Sequence, residues 1–130
     1  MGDQPAWLGR PPGEWPDGSP RAGQVFWVHT DILGRRDAHS DAYRPAVVIS
    51  VNTEVGRVFV MTRTTNPKAR GVTHGRVPAV GLDKDATFDP SWYQGVELSM
   101  FTHPFVEFIF DLAVDDPATW AEVIAAMEAS

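Results

Sequence analysis

Arg44 stands immediately before Pro45 in the run Tyr43-Arg-Pro-Ala-Val-Val-Ile-Ser50. The residue before a proline is pushed towards extended backbone, so this guanidinium is expected at the mouth of a strand. A second strand-like run, Val58-Phe-Val-Met-Thr-Arg-Thr-Thr65, ends on the hydroxyls of Thr64 and Thr65. A guanidinium presents planar paired donors that match phosphate oxygens, and a threonine hydroxyl adds one adjustable hydrogen bond. Together they make a candidate phosphate site. Arginine is a poor base at neutral pH, whereas histidine titrates near neutrality. His29, closing Gln24-Val-Phe-Trp-Val-His29, and His39, in the loop before Arg44, are the two histidines placed to reach that corner. His74, between Arg70 and Arg76, reads as a surface contact, and His103 before Pro104 as a turn residue. The histidines lack ligand spacing, so no metal site is expected. The chain has no cysteine, which excludes disulfides, thiolate catalysis and Cys-ligated zinc.

These residues need strands to hold them. Residues 24–29 alternate as a half-exposed strand, and 43–51 form a near-continuous β-branched block that suits a buried one. A third strand is expected over 57–64, joined to the second through Asn52-Thr-Glu-Val-Gly56. A short strand over 72–80 is confined to an edge by Pro78. A loop from Gly81 to Tyr93 precedes two further strands, 96–102 and 105–112, the last interrupted by Glu107. Asp116-Pro117 then opens a helix to about Ala129: an acidic cap, proline at the first helical position, and Trp120, Val123, Ile124 and Met127 at helical spacing. Many short strands with little room for helical crossovers favour an antiparallel, partly open barrel closed by one helix. Residues 1–22, rich in proline and glycine, form an N-terminal arm in which Trp7 and Trp15 are candidate pins. The remainder, 23–130, is expected to be a single domain.

The net charge of −6 hides an asymmetry. Residues 21–76 carry nine basic and four acidic groups, a balance of +5; from Val77 onward Lys84 stands alone against ten acids, a balance of −9. The half that holds the candidate site is therefore the half suited to a polyanion. Arg35, Arg36, Arg63, Lys68, Arg70 and Arg76 are candidate contacts to backbone phosphates. Tyr43, Phe26 and Trp92 are aromatics that could stack on bases if exposed. The sequence shows neither a signal-like start nor a stretch of the roughly 20 apolar residues that a membrane span needs, and cytoplasmic chemistry fits best.

The order Gly-x-x-x-Trp-Val, a polar loop, Arg-Pro-Ala-Val-Val-Ile-Ser, a turn and a strand ending in Thr-Thr resembles the MazF/PemK family of toxin endoribonucleases. The likeness covers about residues 23 to 66. It implies an SH3-like barrel of the CcdB/MazF type and metal-independent cleavage of single-stranded RNA, without a cofactor, to a 2',3'-cyclic phosphate and a 5'-hydroxyl. The family's arginine corresponds to Arg44, expected to stabilise the transition state and relay a proton. Its threonine corresponds to Thr64, with Thr65 as the alternative register and an RNA contact. The loop before Arg44 borders the family's substrate groove, which favours His39 over His29 as proton carrier. The resemblance further implies a cognate antitoxin, a homodimer and growth inhibition. Departures are visible: Thr30-Asp-Ile-Leu-Gly-Arg-Arg36 replaces the family's Asp-Pro and Gly-Ser-Glu-like elements, and its Asp-Gln strand is not recognisable in Val96–His103. The altered loop and the acidic second half leave two alternatives of the same fold: a non-catalytic protein-binding module, and a CcdB-like toxin acting on a protein target.

Overall fold

The computed structural model describes residues 20–33, 43–101 and 105–129. The arm with Trp7 and Trp15, the basic pair Arg35 and Arg36, His39 and His103 lie outside the described residues. Six strands, β1 (Gln24–His29), β2 (Tyr43–Asn52), β3 (Arg57–Thr64), β4 (Val72–His74), β5 (Ala86–Glu97) and β6 (Val106–Asp111), form one sheet in the order β4-β5-β3-β2-β1-β6. Every pairing is antiparallel. The sheet curls into a half-barrel and is followed by a short helix α1 (Leu112–Asp115) and a longer one, α2 (Pro117–Ala129). This is the partly open barrel with a C-terminal helix that the strand pattern implies.

The central strands read as unbroken apolar runs because both faces of the sheet are covered. Phe26, Val28, Ala46, Val48, Val58 and Val60 pack on one face with Phe101 and Val106. Val25, Val47 and Met61 pack on the other with Phe88, Phe110, Leu112 and Val123. The register Val25↔Val47, Phe26↔Ala46, Val47↔Met61 and Val48↔Val60 keeps the two sets on separate faces, since side chains alternate with period two. Phe26 meets Phe101 edge-on at 4.8 Å and Phe108 at 5.6 Å. It is wholly buried, so the expectation of a base-stacking role for Phe26 is corrected: its place in the alternation turns it inward.

Helix α2 follows from its own residues. The carboxylate of Asp116 accepts from the Thr119 N–H (3.2 Å) and the Thr119 hydroxyl (2.7 Å), satisfying a donor that the first turn leaves unpaired. Val123 is buried, and Trp120, Ala126 and Met127 pack beside it on the second core cluster. No helix among the described residues is long and apolar enough to cross a membrane.

Three expectations fail between residues 72 and 101. Strand β4 stops at His74, and Pro78–Val80 is a 3-10 turn. The expected loop from Gly81 to Tyr93 contains most of β5, a twelve-residue strand, whereas Leu98–Met100 is another 3-10 turn. The Asp89-Pro90 pair reads as a break in sequence, yet here it forms an irregularity within the strand. Partners jump from Met61↔Tyr93 to Arg63↔Phe88, leaving Asp89 to Trp92 bulged out. The Asp89 carboxylate secures the bulge by accepting from the backbone of Arg70 (3.2 Å) and Ser91 (2.9 Å) and from the Ser91 hydroxyl (2.8 Å). A proline is tolerated there because a bulged residue owes no ladder hydrogen bond.

Candidate functional site

One row of residues crosses the sheet at the ends of β2 and β3. Val28 pairs with Arg44, Thr64 with Thr87, and Thr73 with Thr87. The β2–β3 ladder reaches Ala46↔Thr62, and Arg44 and Thr64 each lie two residues further along their strands. Period-two alternation therefore sets Arg44 and Thr64 on the same face of neighbouring strands, each two residues beyond the last recorded pair. Arg44 is half-buried. The Thr64 hydroxyl accepts from the Asn66 N–H at 3.1 Å as the chain turns out of β3.

Two depressions adjoin this row. A cavity of about 260 Å³ is lined by Arg44, Arg63, Thr65 and Lys84, with Asp83 as its one carboxylate and Trp27, Tyr43, Pro45 and Leu82 as apolar walls. Gly81, whose φ of 89° would strain any residue with a Cβ, carries the backbone past the Trp27 ring there. A smaller recess of about 210 Å³ holds Thr64, Thr73 and Thr87 with Asn66 and Asp85. Thr65 borders both. The two threonines thus divide: Thr64 continues the Arg44 row, and Thr65 shares the cationic cavity with it.

Arg63, expected at the surface, is 4% exposed. Its Nε donates to Nδ1 of His74 at 2.9 Å, and its Nη2 donates to the carbonyls of Lys84 (2.9 Å), Gly75 (3.2 Å) and His74 (3.3 Å). Burial lowers its pKa and Asp85 raises it, but a guanidinium stays charged in a protein. His74 is likewise 4% exposed, stacked on Phe110 (5.9 Å, 12°) and tilted against Phe88. The reading of His74 as a surface contact is therefore corrected, because β4 alternates and sets Val72 and His74 inward around Thr73. Its pKa is lowered, first by burial and then by Arg63, against an opposing pull from Asp116.

The remaining residues separate by exposure. Tyr43 is 42% exposed and meets His29 edge-on at 4.8 Å. His29 accepts at Nδ1 from the Asp31 N–H (3.0 Å) and lies 3.5 Å from the Asp31 carboxylate, one position from the Arg44 row. Lys68, Arg70 and Arg76 are exposed and Trp92 half-buried. Lys84 was not singled out in sequence. It lies in the acidic half, and only the fold of Gly81–Lys84 over β3 brings it to the cavity.

No family model and no curated protein matches this chain. Solved structures do. The crystal structure of MazF (Form-I) from Deinococcus radiodurans superposes with a TM-score of 0.58 at 16% identity over 85% of this chain and 94% of that one. The MazE-MazF (Form-II) structure from the same organism gives 0.55 at 18% identity, covering 85% and 93%. At such identity the likeness concerns architecture, and the architecture is that of MazF: a half-barrel of antiparallel strands with a C-terminal helix.

Proposed function

We propose that the chain is the toxin of a toxin–antitoxin pair and cuts single-stranded RNA at the Arg44 row. The observation that supports this reading is that Arg44 near the start of β2 and Thr64 at the end of β3 each lie two residues beyond the Ala46↔Thr62 pair of neighbouring strands, in a MazF-like fold. In the reaction a ribose 2'-hydroxyl attacks the adjacent phosphorus. The P–O5' bond breaks, the 2'-hydroxyl proton is taken up by the site, and the leaving 5'-oxygen is protonated. The protein's task is to place the phosphate and stabilise the charge on its non-bridging oxygens. Arg44 supplies paired donors for those oxygens, with Thr64 as a second contact. His29, one position along β1, and His39, five residues before Arg44 in the sequence, are the candidate proton carriers. Thr65 and Lys84 extend the positive cavity, and Arg35, Arg36, Lys68, Arg70 and Arg76 serve flanking phosphates with Tyr43 as a stacking platform. An antitoxin partner is supported by the MazE-MazF assembly among the structural neighbours, and a homodimer accompanies this reading.

The test is induction of wild type and Arg44→Ala side by side, with growth recorded and RNA ends mapped. Growth arrest with new 5'-hydroxyl ends in the wild type alone is expected, and added chelator should change neither. A wild type that cleaves none of a varied set of single-stranded RNAs, yet binds a protein partner, would replace this reading with the binding module.

A further inference from the structure

The cavity beside Arg44 has one wall that no strand holds. Lys84 reaches it from the connection between the Pro78–Val80 turn and β5, a segment tied internally by short-range bonds such as Leu82 N–H to the Val77 carbonyl (3.1 Å). Leu82 anchors the segment in the core and Asp85 accepts from the Arg76 N–H at 2.9 Å, while the Lys84 carbonyl itself is held from β3 by Arg63 Nη2 at 2.9 Å. Arg63 in turn is oriented by His74, whose Nδ1 accepts from Nε at 2.9 Å. An imidazole nitrogen can accept only when it carries no proton, so this geometry requires neutral His74 with its hydrogen on Nε2.

We infer that His74 is a positioning residue for the candidate site: as a neutral imidazole it holds the Arg63 guanidinium that anchors the Lys84 wall, and protonation of His74 releases that wall. The inference rests on the phosphate-site reading of the cavity for its functional consequence, though the latch itself does not.

The surroundings of His74 decide the direction. Phe88 from β5 and Phe110 from β6 cover the ring without offering a charge, and Arg63 from β3 is a like charge in contact with it. The carboxylate of Asp116, at the cap of α2, is the charge that favours the imidazolium, and Asp85 acts on Arg63. Burial and Arg63 outweigh Asp116, so the pKa of His74 is lowered and its proton arrives at a lower pH than on a free imidazole. When it does, Nδ1–H faces Nε–H, the two cations repel, and Arg63 must move. The carbonyl of Lys84 then loses its donor, and the cationic wall is no longer held against Arg44.

The experiment uses the full chain as wild type, His74→Asn and His74→Leu between pH 5 and 8. Asparagine can place an amide oxygen where Nδ1 stands, an acceptor that does not titrate; leucine removes the acceptor. In wild type the Arg63 Nε–H resonance should be lost and the Lys84 and Asp85 backbone resonances should shift on acidification, while the Leu82 amide, bonded within its own segment, and the β2 amides remain protected. His74→Asn should keep the Arg63 resonance across the range and lack the acid shift at Lys84. On RNA, His74→Leu should lower kcat/KM at pH 7.5 by about tenfold to a hundredfold, the range of one hydrogen bond to a charged group. His74→Asn should stay within about threefold and show no acid limb from this group. An unchanged acid response in His74→Asn, or loss of β2 protection together with the Lys84 shift in wild type, overturns the latch. If His74→Leu fails to fold, the asparagine variant and the wild-type titration decide alone. Local release in a wild type that cleaves no RNA would sustain the latch and reject the nuclease reading, so the two fail separately.

Discussion

The mouth of β2 and the end of β3 each contribute an arginine to the same cavity. Arg44 stands half-buried at the edge of the core, next to Pro45 and on the strand beside the one that ends in Thr64. Arg63 stands two positions beyond core residue Met61, and its donors are taken by an imidazole and three carbonyls. The two have the same charge and different surroundings. A guanidinium whose Nε and Nη2 donate to four inward-facing acceptors becomes a structural tie, whereas Arg44 stays half-buried on the wall of the cavity. The comparison teaches that burial among fixed acceptors, more than charge, is what makes Arg63 part of the fold.

Substitution separates the proposed use of Arg44 from the structural one of Arg63. Arg44→Ala should cost RNA cleavage roughly 3 to 4 kcal/mol in barrier, about 10²- to 10³-fold in rate, while urea unfolding shifts by no more than about 0.5 kcal/mol. A large loss of stability in this variant would erase the contrast with Arg63. Arg63→Ala should do the opposite in first order, lowering unfolding free energy by about 3 kcal/mol, because it strips donors from buried acceptors. Urea denaturation midpoints of the two variants, measured together, provide the check.

The third expectation concerns pH. The folded-state pKa of His74 is depressed, so the unfolded chain binds its proton first as pH falls below the ordinary histidine value of about 6.5. Stability from this group is fully present above that pH and is lost as pH falls through the folded pKa, with a slope of at most about 1.4 kcal/mol per unit. His74→Asn should remove this contribution, which unfolding curves at pH 5 and pH 7.5 would reveal. The smallest effect sharpens the geometry of the other arginine. Thr64→Val keeps the β-branch and removes the hydroxyl, and should cost cleavage about 1 kcal/mol. Thr65→Val is expected to cost less than half as much. A reversed order in kcat/KM would move the reacting phosphate from the sheet row into the cavity.

The strand pattern of residues 24–64 was legible because local signals agree there: apolar runs of strand length, a turn at Asn52–Gly56 and a proline that fixes Arg44 in extended backbone. Helix α2 was legible for the same reason, with its cap, its proline and its apolar spacing in consecutive residues. The sequence by itself also paired Arg44 with a threonine ending the next strand. It could not choose between the environments of Thr64 and Thr65, since one residue of register changes the face of the sheet. Strand β5 was hidden because Asp89-Pro90 carries the local signature of a turn, and only the partner strand β3 shows it to be a bulge. The burial of Arg63 and His74 was illegible for a related reason. Both lie in a basic, polar stretch that reads as surface, and what draws them inward is each other, together with the carbonyls of Gly75 and Lys84 and the rings of Phe88 and Phe110. Those partners come from four different segments of the chain. Their meeting is a property of sheet order and register, and those long-range pairings are decided only when the whole barrel folds.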